Sequence, residues 1–256
     1  MSESTPVDVI EGRARFCVVC SDCRDVLPTI PDKSVNHTVC DPPYSRRTHT
    51  GMRGNRGKDG IVTRDCGFEH LTPALRRFIA HESVRTTKGW IAMFTDRESS
   101  WMWRVSLEAA GGHYKRTVPW IRWSSPQFNR LAPPSACEDV VWAAAEKGLF
   151  FWDTDLMSYD SRCLRASNKK GDHETEKSEL LMMELLSGCA KPGDIVADWT
   201  CGSGSTLVAA LRMGCQVIGT ELRPEHAAMA RDRCAAEADQ SDVKSRRAGQ
   251  CALFGE

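Results

Sequence analysis

Asp41-Pro42-Pro43-Tyr44 places a carboxylate, a restrained backbone carbonyl and an aromatic ring within one short segment, at the end of the apolar run from Val35 to Cys40. Such a set suits an exocyclic amine on a heterocyclic base. That amine is a poor nucleophile, because its lone pair is delocalised into the ring. The Asp41 carboxylate and the Pro42 carbonyl can accept its two N–H bonds, which favours a tetrahedral nitrogen whose lone pair points at a methyl donor, a case of electrostatic preorganisation. Pro43 fixes the backbone, and Tyr44 offers a flat face for a base removed from a helix. The plainer alternative is a strand ended by two prolines, with a surface tyrosine.

A second constellation runs from Asp198 to Thr206. A strand ends at Asp198, Gly202-Ser203-Gly204-Ser205-Thr206 turns into a helix, and Glu221 closes the next strand. Glycine lets the backbone approach a ligand closely, and a carboxylate after the second strand can accept hydrogen bonds from both hydroxyls of a ribose. This pattern points to a nucleoside site. A dinucleotide oxidoreductase would share it, but Leu207 stands where the third glycine of that fingerprint belongs. A tight turn with no ligand is the other reading.

Strands and helices alternate around both sites. Asp194 to Thr200, Leu207 to Met213, Gln216 to Leu222 and a helix from Pro224 to about Glu237 predict a β-α-β-α unit. Upstream, strands are expected over Ala14 to Cys20, Val35 to Cys40, Gly89 to Phe94, Tyr114 to Trp123 and Glu138 to Ala145. Helical stretches are expected near Arg24 to Ile30, after the Thr72-Pro73 cap, over Asp96 to Ala110 and over Ser178 to Ala190. The alternation predicts an α/β doubly wound, mostly parallel sheet of the Rossmann-like type, with ligand crevices at the carboxyl ends of its strands.

With 256 residues, 41% of them hydrophobic and 27% charged, the chain is read as one domain spanning 1–256. It has no run of about 18 uncharged apolar residues and no basic-then-apolar N-terminus, so neither a membrane span nor export is expected, and the expected location is the cytoplasm. The twelve cysteines are scattered through apolar stretches and are read as reduced core residues. Cys17, Cys20 and Cys23 recur every third residue on a strand, which does not put three sulfurs on one face, so no metal site is expected. Cys40 ends an apolar strand and is read as a packing residue, not a nucleophile.

Formal net charge is zero, which argues against a strongly basic nucleic-acid binder, but the charge is unevenly placed. The Gly/Arg-rich segment 45–68 carries Arg46, Arg47, Arg53, Arg56, Lys58 and Arg64 against two acids, and Lys169 and Lys170 belong to a second basic cluster. These side chains are candidates for neutralising phosphates, in a loop whose glycines let it order on binding. A solvated loop without contacts is the alternative.

Together these residues resemble the DNA amino-methyltransferases, the N6-adenine and N4-cytosine family, and the resemblance covers most of the chain. Its specific parts are Asp41-Pro42-Pro43-Tyr44 and Asp198-Trp199-Thr200-Cys201-Gly202-Ser203-Gly204-Ser205-Thr206, where the family usually has Pro-Phe in place of Trp199-Thr200. Two further elements fall in the expected order. Ser21-Asp22 is similar to the segment whose aspartate contacts the cofactor's adenine. His173-Glu174-Thr175-Glu176-Lys177-Ser178 is similar to the element lining the cofactor's methionine end, with Ser178 in place of proline and able to start the next helix.

The order of the blocks matches the permuted arrangement called the beta class, whose target-recognition part lies between them; 150–172 is the short candidate here. The resemblance implies S-adenosylmethionine as cofactor, held by Asp22, Lys177, Asp198, Gly202, Ser203, Gly204, Thr206 and Glu221. It implies Asp41, Pro42, Pro43 and Tyr44 as catalytic residues, double-stranded DNA with a flipped target base as substrate, and a homodimer. Aspartate first in the D-P-P-Y signature favours adenine N6. Cytosine N4 remains an alternative, as does a non-catalytic DNA-binding partner of the same fold.

Overall fold

The computed structural model describes residues 4–44, 53–57, 60–63, 70–121, 137–147, 164–165 and 177–253. Ten strands are described: β1 Phe16–Cys20, β2 His37–Cys40, β3 Arg53–Gly57, β4 Gly60–Thr63, β5 Trp90–Thr95, β6 His113–Ile121, β7 Cys137–Ala144, β8 Leu164–Arg165, β9 Ile195–Asp198 and β10 Gln216–Glu221. Seven helices accompany them: α1 Pro6–Ile10, α2 Cys23–Val26, α3 Pro73–Thr86, α4 Ser100–Ala109, α5 Glu179–Ser187, α6 Ser205–Arg212 and α7 Pro224–Leu253.

Eight strands form one sheet in the order β1-β10-β9-β2-β5-β7-β6-β8. The pairs from β1 through β5 are parallel, β7 runs against both its neighbours, and β8 is parallel to β6. This is the expected doubly wound, mostly parallel sheet. Its central strands are buried on both faces, which is why they read as continuous apolar runs rather than alternating ones. In β5, Ala92 and Phe94 meet one helical layer and Ile91 and Met93 the other, all four fully buried. The first layer holds Leu181 and Leu185 of α5, Leu207 of α6 and Ala230 of α7. The second holds Ile79 of α3 with Trp103 and Leu107 of α4.

Helix starts follow local chemistry. Thr72 caps α3 by accepting the Leu75 N–H at 3.1 Å, with Pro73 in the first turn, and Ser178 caps α5 by accepting from Leu181. That cap explains how serine serves where proline was the family's habit. Several elements differ from the sequence reading. α7 runs past Glu237 to Leu253, because good helix formers continue with no glycine or proline until Gly249. α1 forms on a Thr5 capping box in a stretch given no element. Within the segment read as a Gly/Arg-rich loop, β3 and β4 pair antiparallel, with Gly57 opposite Gly60.

The sheet's switch point lies between β9 and β2, which pair in parallel with Thr38 beside Ala197. From there the chain winds outward in both directions, so the carboxyl ends of β9 and β2 meet at the place where open α/β sheets bind their ligands. A buried pin fixes this register. The Trp90 N–H donates to His37 Nδ1 at 3.2 Å, leaving Nε2 to face Asp194 Oδ2 at 3.3 Å, just before β9. Among the described residues no helix is long and apolar enough to cross a membrane, and no group of His, Cys, Asp and Glu is placed to hold a metal ion.

Candidate active site

β2 is buried along its whole length, and two prolines then remove the N–H groups that would extend its ladder. The chain leaves the sheet as Asp41-Pro42-Pro43-Tyr44 at the switch point. The Tyr44 carbonyl is held by the Leu71 N–H at 3.1 Å.

Lys177, the residue before the α5 cap, reaches into this corner. Its Nζ lies 2.8 Å from Asp41 Oδ2, 3.0 Å from Glu138 Oε2 and 3.1 Å from the Tyr44 hydroxyl, so each of its three protons has an oxygen. The Tyr44 hydroxyl in turn donates to Glu138 Oε2. Three rings surround the ammonium, with centroids 5.4 Å (Tyr44), 5.2 Å (Phe94) and 5.3 Å (Trp120) away, within range of a cation–π attraction. The Lys177 and Glu138 side chains are only 9% and 8% exposed.

This corner therefore holds two carboxylates against one ammonium. Burial acts to lower the Lys177 pKa, but Asp41 and Glu138 outweigh it and hold the ammonium above its ordinary value. Burial pushes the Asp41 carboxyl up, Lys177 opposes this, and the Glu138 charge adds to it. The two Asp41 oxygens are not equivalent: Oδ2 is held by Lys177, whereas Oδ1 is buried with no hydrogen-bond partner. An acceptor left unpaired away from water costs about 1–3 kcal/mol unless a ligand satisfies it.

The glycine turn lies beside it, joined through the Trp199 N–H to Cys40 Sγ at 3.2 Å. The Cys201 N–H donates to the Thr220 carbonyl at 2.9 Å, and the Gly204 N–H to the Cys201 carbonyl at 2.8 Å. Glu221 accepts the Gly202 N–H at Oε2 and the Arg223 N–H at Oε1, both at 2.9 Å, which sets its carboxylate against the turn. Burial pushes the Asp198 carboxyl up to about 7, against hydrogen bonds from the Thr200 N–H and the Thr206 side chain. Ser203 is held by Arg233 through its carbonyl and hydroxyl at 2.9 and 3.0 Å, and Arg233 pairs with Glu179 of α5 at 2.8 Å. The Thr200 hydroxyl is buried without a partner.

Two glycines of the turn are left-handed, Gly202 at φ +53° and Gly204 at φ +88°. A methyl group on Gly202 would meet nothing within 4 Å, whereas on Gly204 it would lie 3.0 Å from Ala230 Cβ. Gly204→Ala is therefore expected to destabilise by about 2–3 kcal/mol, the left-handed strain plus a clash with α7. Gly202→Ala should lose only the strain, about 1–2 kcal/mol. Urea unfolding of the two variants checks the order, and equal losses would mean that α7 gives way freely.

Asp22 lies at the end of β1, next to this turn, because the Ser21 N–H donates to the Glu221 carbonyl at 3.0 Å. It caps α2, accepting the Arg24 N–H at 2.8 Å, and the Arg24 guanidinium holds its carboxyl below the ordinary range. The sequence-derived site residues thus gather in two adjoining groups. Asp41 to Tyr44 join Lys177, which the sequence had grouped with the cofactor residues, while Asp22, Asp198, Gly202, Ser203, Gly204, Thr206 and Glu221 line the neighbouring turn. Of the basic candidates, Arg53 and Arg56 lie on β3. Arg46, Arg47, Lys58, Arg64, Lys169 and Lys170 fall outside the described residues, as does segment 150–172 apart from β8.

Sequence placed Glu138, Phe94 and Trp120 in strands only and gave them no part in the site. The signal for Glu138 was present: an acid inside the apolar run Glu138 to Ala145 needs a partner once buried.

Comparisons with known proteins bear on the family and the fold. A family model described as DNA methylase, of the N6 and N4 type, matches residues 35–232. The type II methyltransferase M2.DpnII of Streptococcus pneumoniae is 25% identical over 249 residues, covering 88% of this chain and 92% of that protein. The crystal structure of the M1.HpyAVI–SAM complex superposes with a TM-score of 0.65 at 20% identity, over 86% of this chain and 98% of that one. The cytosine-N4-specific PvuII DNA methyltransferase superposes with a TM-score of 0.64 at 14% identity, over 86% of each chain. At these identities the two solved structures speak for the fold.

Proposed function

We propose that this chain, which belongs to the DNA methylase family of the N6 and N4 type, methylates adenine N6 in DNA with S-adenosylmethionine as donor. The observation that carries the reading is Asp41 itself: one oxygen fixed by Lys177, the other buried and unpaired, at the crevice shared with the glycine turn.

S-adenosylmethionine would supply an electrophilic sulfonium methyl. The residues beside the crevice suit that group: two left-handed glycines bare the backbone of the turn, Glu221 is set for a ribose, and the Thr200 hydroxyl is buried and unpaired. Asp22, Asp198, Ser203 and Thr206 complete its walls, while Lys177 belongs to the D-P-P-Y corner.

In the base pocket, Asp41 Oδ1 and the Pro42 carbonyl accept the N–H bonds of the target amine and turn its lone pair out of the ring plane. As the nitrogen gains its methyl it becomes cationic, and Asp41 Oδ1 takes the proton it sheds. The net negative charge of the Asp41, Glu138 and Lys177 cluster favours that passing positive charge. Pro43 holds the backbone and Tyr44 stacks on the base flipped out of the duplex. The basic residues of 45–68, with Lys169 and Lys170, are assigned to phosphate contacts and 150–172 to target choice, in a homodimer on double-stranded DNA.

Aspartate at the head of the signature favours adenine over cytosine N4. The test is to incubate the protein with unmodified plasmid DNA and S-adenosylmethionine, digest the DNA to nucleosides, and weigh the methylated base, with Asp41→Ala alongside. N6-methyladenine that disappears in the variant is the expected result. N4-methylcytosine would replace the base named here, cofactor binding without methylation would point to a missing partner or another substrate, and absence of cofactor binding would favour a non-catalytic DNA-binding partner.

A further inference from the structure

We infer that Glu138 is the positioning residue of this site, a single carboxylate that fixes both working ends of Asp41-Pro42-Pro43-Tyr44. The inference rests on the methyl-transfer reading above and gives Glu138, there only one charge of a cluster, a role of its own.

Topology brings Glu138 to the site. β7 is the reversed strand, so its first residues lie at the edge where the parallel strands end: Asp139 pairs with Thr95, the last residue of β5, and Glu138 with Trp120. Side chains alternate along a strand, so Glu138 shares the face of Val140 and Trp142, which is also the face of Phe94 and Trp120. An acid at this register faces the corner where Asp41 leaves β2.

Its contacts divide into two tasks. Glu138 Oε2 accepts the Tyr44 hydroxyl, so the ring is held at its far end as well as through its own backbone. The same oxygen takes one proton of Lys177 at 3.0 Å, which aims the ammonium so that it also reaches Asp41 Oδ2 at 2.8 Å. The result is a tyrosine ring with a set plane and an aspartate with one oxygen engaged and one available. A purely structural ion pair would need one carboxylate here. The second adds negative potential beside Asp41, suited to a cationic nitrogen formed next to it.

Glu138→Gln keeps an acceptor for Tyr44 and Lys177 but removes the charge, and Glu138→Ala removes both. The groups facing Asp41 are Lys177, Tyr44, Glu138 and Asp198. Loss of the Glu138 charge leaves the lowering action of Lys177 less opposed, so the Asp41 pKa falls. The expected results are a kcat about tenfold lower in Glu138→Gln, with the acid limb of its pH profile moved to lower pH. Glu138→Ala should lose about 10²-fold or more, while the KM for S-adenosylmethionine stays at the wild-type value in both.

A second readout needs no DNA: the carboxyl 13C titration of Asp41, which should midpoint at lower pH in Glu138→Gln. If wild type methylates DNA and both variants keep its kcat and pH profile, Glu138 does not position the site. If wild type methylates no DNA, the methyl-transfer reading fails, and the Asp41 titration still decides whether Glu138 acts on that carboxylate. Should Glu138→Ala fail to fold, Glu138→Gln carries both measurements.

Discussion

Asp41→Ala is expected to lower the single-turnover rate of methyl transfer by about 10²–10³-fold, the range found when one preorganised group at a reacting centre is removed. The variant loses the acceptor that the amine N–H needs and the base that takes its proton. It should nevertheless fold, because Lys177 keeps Glu138 and Tyr44 as partners at 3.0 and 3.1 Å. Deleting one of two carboxylates that share one ammonium leaves a neutral pair, so thermal stability should be unchanged or slightly higher. Cofactor affinity should also hold, since the turn from Asp198 to Thr206 keeps its own hydrogen bonds to Thr220 and Glu221. Rapid-quench transfer from labelled S-adenosylmethionine, paired with calorimetric cofactor binding, separates these effects. A rate within tenfold of wild type would remove Asp41 from the chemistry, and a lost cofactor affinity would make it a structural residue of the turn.

Much of this site was legible because its parts are local. Asp41 to Tyr44 are consecutive, two prolines mark the strand end, and the glycine turn announces the start of α6 through the left-handed φ that only glycine adopts without strain. The sheet was legible for the same reason, since strands buried on both faces are continuous apolar runs. What could not be read is what depends on strand direction and on the reach of a long side chain. Glu138 meets Tyr44 across 94 residues, and Lys177 meets it across 133. Nothing in the run Cys137–Ala144 says that β7 runs backwards, yet that reversal is what delivers the acid to the edge where Asp41 leaves β2. Lys177 sits in an element that resembles a cofactor-lining segment, and spacing along a chain cannot tell which way a flexible four-carbon stem will turn. Its neighbours, the carboxylates of Asp41 and Glu138, decide that.

Lys177→Met tests that decision most severely. Methionine fits the ring-lined space that the lysine stem and ammonium occupy, so packing should largely survive, but Asp41 and Glu138 lose their shared counter-charge. Removing one partner from a buried ionic cluster typically destabilises by about 3–5 kcal/mol, and methyl transfer should fall at least as far as in Asp41→Ala, because Asp41 Oδ2 loses the ammonium that fixes it and the two carboxylates then repel, although Tyr44 keeps Glu138. The pH dependence has a definite sign. Burial already raises the Asp41 carboxyl while Lys177 restrains it, so removing Lys177 raises it further above its unfolded value. A carboxyl raised in the folded state binds its proton more tightly there than in the unfolded chain. Stability is therefore greatest at low pH and is lost as pH rises from the unfolded pKa through the folded one. Urea unfolding at pH 5 and pH 8 should show the gap between variant and wild type widening at pH 8. Lys177→Arg should recover part of the stability by restoring the charge, and less of the rate, because a planar fork cannot reproduce three contacts converging on one nitrogen. A Lys177→Met variant destabilised by under about 1 kcal/mol, or equally at both pH values, would mean that the two carboxylates are solvated and that the cluster does not hold Asp41 in place.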